Sequence, residues 1–149
     1  MAEDPSLEIY RALTDAEIRY PYFLLAAAGA GIGLAATQTQ TAALAWRQTP
    51  LGGAVLLWGL SFYFGCRHLL FSIAALRANF ELLRISAGKN PDIQHPALQS
   101  AAHEPMRRIM EVHGGRSNRY GHWQFRLLVA GALCYLGWHI LEMYLRVKP

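Results

Sequence analysis

From Leu51 to Leu76 the sequence LGGAVLLWGLSFYFGCRHLLFSIAAL is apolar almost throughout, broken only by the adjacent Arg67 and His68. A run of ~20 apolar residues rising 1.5 Å each crosses the ~30 Å hydrocarbon core of a bilayer, and this one is long enough to do so even if tilted. The stretch therefore directs the chain to a membrane fold.

Composition agrees. Only 16% of the 149 residues are charged while 53% are hydrophobic, against roughly 25% charged in a soluble domain, and the apolar residues gather into three blocks instead of recurring at amphipathic spacing. The expected fold class is all-α, a polytopic membrane protein with three transmembrane helices and a small cytoplasmic helical cap. Cys66 and Cys134 both fall within spans, where cysteine is a small packing residue, so no disulfide framework is expected. The N-terminus, MAEDPSLEIY, is acidic and lacks the basic n-region of a cleaved signal peptide.

Taken in order, residues 1–20 form an amphipathic N-terminal segment, with Asp4 and Pro5 as a start signal and a second start at the capping box Thr14 to Glu17. Residues 21–87 form a transmembrane helical hairpin, its second helix extended into the cytoplasm. The first helix of the hairpin carries Gly29 and Gly33 in a GxxxG, flanked by Ala26, Ala30, Thr37 and Thr41, a stripe of small residues suited to close helix packing. The turn at Arg47 to Pro50 leads into the second helix, whose pattern continues past Leu76 to a stop at Gly88. Residues 88–120 form a cytoplasmic loop and an amphipathic helix closed by Gly114-Gly115, whose Leu98, Ala102, Met106, Ile109 and Met110 suit the apolar stripe of Phe80, Leu83 and Ile85. Residues 121–149 hold the third transmembrane helix, entered through Tyr120, Trp123 and Phe125, a membrane-interface signature.

Charge sets the expected orientation. Ten Lys or Arg fall in the N-terminal segment and between Arg77 and Arg126, whereas three, Arg47, Arg146 and Lys148, fall on the other side. The positive-inside rule then puts the N-terminus in the cytoplasm and the C-terminus outside, in a bacterial inner membrane. The net charge of +4 records orientation; nucleic acid is not an expected partner, and membrane lipid is.

Candidate chemistry is sparse. Thr37 to Thr41 are five consecutive uncharged polar residues, either an interfacial cap or the mouth of a water-filled passage. Arg67, ~24 Å along the helix from Leu51, either snorkels to headgroups or rings the axis of an oligomer. The pore-lining candidates are thus Thr37, Gln40, Thr41, Arg67 and His68. His139, Glu142 and Arg146 share a face near the end of the third span as a polar membrane network. Arg107, Arg108, Arg116 and Arg119 make a cytoplasmic basic patch for headgroups or a phosphate-bearing ligand. His68 and His139 differ by ~15 Å in depth, which excludes a shared haem within one protomer. The spacing of His95, His103, His113 and His122 is not that of a zinc site, so neither cofactor nor metal is expected. No nucleophile or phosphate-loop pattern has supporting context, and the chain is not expected to be an enzyme.

Three thin helices leave little room for a transport site in one subunit. The expected function is a homo-oligomeric pore or ion channel gated through the cytoplasmic helices. In architecture the chain resembles the small multi-span effectors of bacterial defence systems, a likeness that implies triggered perturbation of the membrane. The alternative is a non-catalytic accessory subunit of a larger membrane complex, with a protein partner at the cap.

Overall fold

The computed structural model describes residues 5–39, 46–88 and 96–147. They are almost wholly helical: α1 (Pro5–Thr39), a single 3-10 turn (Trp46–Gln48), α2 (Thr49–Ser86) and α3 (Pro96–Val147). Three segments, Thr14–Thr39, Trp46–Ser86 and His103–Leu145, are long and apolar enough to cross a membrane. The chain is a helical membrane protein.

Two expected boundaries are absent. α1 passes through Pro21 without a break, so the N-terminal segment and the first span are one helix. α3 passes through Pro105 and Gly114-Gly115 and joins the amphipathic helix to the third span. Each interior glycine costs about 1 kcal/mol relative to alanine, and proline more, but ending a helix strands several backbone groups at each new terminus. Where neighbouring helices supply packing, continuation is the cheaper outcome. Gly88 does stop α2: it adopts a φ of 65°, and the Ala87 and Gly88 amides donate to the carbonyls of Leu83 and Ile85.

The helices form two compact units, Met1–Gly65 with Gly121–Pro149, and Cys66–Tyr120. The first unit is organised around Trp58, which is 5% exposed. With Ala35, Leu51 and Ala54 it makes a core flanked by Ile32, Val55, Leu128, Cys134, Tyr135 and Trp138. Its indole N–H donates to the Leu128 carbonyl at 3.2 Å, and its ring lies 5.8 Å from that of Tyr135. Glycine makes room for it: a Cβ at Gly31 or Gly131 would stand 2.9 or 2.6 Å from the indole. Gly31 thus provides the close approach of α1 to α2. The GxxxG pair does not serve this packing, because a Cβ at Gly29 or Gly33 meets nothing within 4 Å among the described residues.

The second unit pairs the later part of α2 with the earlier part of α3. Ile85, Ala78 and Ser117 are buried in it, and Met106 and Met110 are half-buried. Phe80 and Leu83 remain about 60% exposed, so the expected cover of the α2 stripe reaches Ile85 alone of those three. The side chains of Leu98 and Ala102 lie outside the described residues.

Candidate functional site

Polar side chains on long apolar helices must be satisfied by neighbouring helices, because lipid offers no partners. On α2 they recur at Trp58, Ser61, His68 and Ser72, with Gly65 between, a spacing of three and four that places all five on one helix face.

In the first unit, Ser61 is fully buried and its hydroxyl donates to the Gln124 carbonyl at 2.7 Å. The Gln124 side chain is also fully buried, and its amide N–H donates to the Pro21 carbonyl at 3.4 Å. Its Oε1 has no partner among the described residues. Gly65 lets this amide in, since a Cβ there would stand 2.5 Å from its nitrogen. Trp123 and Phe125, on either side of Gln124, are exposed, as is Tyr22 beside Pro21. These rings share one level, and from Trp123 to Leu145 α3 rises ~33 Å, the thickness of a bilayer core.

In the second unit, His68 Nδ1 lies 2.7 Å from the Ser117 carbonyl, which can only accept, so this nitrogen carries the hydrogen. The Ser117 hydroxyl donates to the His68 carbonyl at 3.3 Å, which leaves Ser72 as donor in the 2.6 Å contact between the two serines. His68 therefore clasps α2 to α3 through Ser117.

Arg67 sits on an aromatic stack. Phe71 and Tyr120 lie parallel at 5.3 Å, and the Arg67 guanidinium is 5.0 Å from the first ring and 5.8 Å from the second. Arg116 approaches the same Phe71 ring at 5.8 Å, and the His113 ring lies 5.6 Å from it. Arg67 Nε and His113 Nδ1 are buried without a hydrogen-bond partner among the described residues.

The basic patch is divided by its carboxylates. Arg107 pairs with Glu104 at 3.4 Å and Glu111 at 3.9 Å, and Arg84 with Glu81 at 3.0 Å. Arg67, Arg108, Arg116 and Arg119 have no ion pair among the described residues. Arg107 thus leaves the group of free cations and Arg67 joins it. Arg67 is forty residues from the patch in sequence, and the pairing of α2 with α3 sets it and Arg116 against one ring, that of Phe71.

The remaining candidates are dispersed. Thr37 is exposed on α1 and its hydroxyl bonds the Leu34 carbonyl of its own helix at 2.8 Å. Gln38 accepts from the Tyr135 hydroxyl at 3.1 Å. Gln40 and Thr41 lie outside the described residues, as does the side chain of Arg146. His139 stacks on Tyr135 at 6.3 Å, and Glu142 is half-buried. Among the described residues no three of His, Cys, Asp and Glu come together as a metal site would require. No family model matches the chain, and searches of curated proteins and of solved structures find no match either.

Proposed function

We propose that the chain forms a homo-oligomeric membrane pore, assembled through the outward face of α1. The observation that carries this reading is the contrast between two exposed faces in the first unit. At 100° per residue, the α1 direction opposite its buried Leu24, Ala28 and Ala35 is occupied by Ala26, Gly29, Ala30, Gly33 and Thr37, all exposed, with the exposed Tyr22 at its N-terminal end. The exposed face of α3 instead carries Val129, Leu133, Leu136, Ile140 and Tyr144. Large side chains suit lipid tails. A face of Ala, Gly and Thr gains little from lipid and much from a second backbone at close range.

The interior of one copy is filled by Trp58 and its neighbours, so an ion path belongs between copies. Thr37, at the end of the small face, is the lining residue to test. By the positive-inside rule we place the N-terminus on the cytoplasmic side of a bacterial inner membrane and the C-terminus outside, with residues 88–120 as a cytoplasmic cap.

The experiment is ion flux into liposomes holding the purified full-length protein. Wild type is expected to conduct, and Gly33→Leu to reduce flux at least tenfold while its circular dichroism and unfolding midpoint stay unchanged, because a Cβ at this position meets nothing within 4 Å among the described residues. Impermeable wild-type liposomes, or equal flux through the variant, contradict the proposal. A single copy that carries a second, unrelated protein through purification would favour the accessory-subunit alternative.

A further inference from the structure

The Arg67 cluster carries an inference independent of the pore. Two guanidinium groups, from Arg67 on α2 and Arg116 on α3, approach one phenyl ring, Phe71, and among the described residues neither is paired with a carboxylate. The described acids of this unit, Glu81, Glu104 and Glu111, are engaged by Arg84 and Arg107. The ring faces attract each cation by about 0.5–1 kcal/mol or somewhat more where desolvated, but they supply neither with a counter-charge. Arg67 Nε is moreover buried and without a partner among the described residues, as is Nδ1 of His113 against the same ring. A buried donor of a charged group left without an acceptor is costly, and the group that relieves both conditions is an anion with several acceptor oxygens.

We propose that Arg67 and Arg116, held on the Phe71–Tyr120 stack, bind a phosphate group. The planar guanidinium fork matches phosphate oxygens bidentately, and two forks from different helices would bridge α2 and α3 through one ligand. His113 also borders a groove of about 510 Å³ along α3, lined by Glu104, Pro105, Arg108, Ile109 and Val112, with space for the uncharged remainder of a phosphate-bearing molecule. The phosphate belongs either to a lipid headgroup or to a soluble ion or ester.

Thermal unfolding of the full-length protein in uncharged detergent, at constant ionic strength, separates these sources. The additions are inorganic phosphate, phosphatidylglycerol, and a neutral glycolipid without phosphate, and native mass spectrometry counts any lipid retained. A saturable rise in Tm with phosphatidylglycerol alone supports the headgroup, and a rise with inorganic phosphate supports the soluble source. In either case Arg67→Gln and Arg116→Gln should each weaken the half-saturating concentration at least tenfold, as expected for the loss of one charge-assisted bond. Arg107→Gln should leave it unchanged, since that cation already has two carboxylates. No Tm rise in wild type with either phosphate-bearing addition, an equal rise with the neutral glycolipid, or equal loss on Arg107→Gln overturns the site. These wild-type and Arg107→Gln outcomes decide the matter even if Arg67→Gln does not fold.

Discussion

Trp58→Ala is expected to remove about 3–5 kcal/mol of stability, the usual cost of emptying a packed tryptophan site. The magnitude follows from what the indole holds together. It is 5% exposed, it donates to the Leu128 carbonyl at 3.2 Å, and it occupies space that Gly31 of α1 and Gly131 of α3 keep open. In a membrane the lipid tails are as apolar as the side chains, so dense packing of this kind, more than transfer from water, holds the helices together. Reversible unfolding in mixed micelles measures the loss. Gly131→Val alone should cost about 1–3 kcal/mol by overpacking, since the new Cβ would stand 2.6 Å from the indole and 3.2 Å from the Ala54 carbonyl. In the Trp58→Ala background the same substitution should cost less, a coupling that identifies the contact. Additive losses would show that the indole does not sit against Gly131.

The second large effect is expected at Gln124. Its side chain is fully buried, with one amide hydrogen bond at 3.4 Å and an Oε1 that has no partner among the described residues. Gln124→Glu puts a carboxylate in that place, with the Pro21 carbonyl as its neighbour, and should cost about 3–5 kcal/mol at neutral pH, the range seen when a buried charge is left uncompensated. Gln124→Leu has nearly the same volume and removes the orphaned oxygen. It should leave stability within about 1 kcal/mol of wild type, because an interhelical hydrogen bond in a membrane contributes roughly 0.6 kcal/mol on average. The same micelle titration reads both variants. A leucine variant as unstable as the glutamate one would mean that the amide is well satisfied and holds α1 to α3.

Both residues mark how far the sequence alone reaches. The three spans are legible because length and apolarity act locally, and the stop at Gly88 is legible for the same reason. Where α1 and α3 continue, local signals mislead. Pro21, Pro105 and Gly114-Gly115 are breakers by propensity, and neighbouring helices override them. The GxxxG at Gly29 and Gly33 is visible as a motif, but the face that meets α2 is decided by where Trp58 fits, and that selects Gly31. Partners such as Trp58 with Leu128, or Arg116 with Phe71, are set by helices that meet only after folding. One signal for them was present: Trp58, Ser61, Gly65, His68 and Ser72 repeat at three and four along an otherwise apolar helix, and this is the seam that faces α3.

The number of chains in one membrane particle tests the central claim most directly. Native mass spectrometry of the full-length protein, extracted in mild detergent, counts them. The outward face of small residues on α1 predicts several identical copies per particle for wild type and a shift toward single copies for Gly33→Leu. A wild-type particle holding one copy under conditions that preserve its fold would contradict the account.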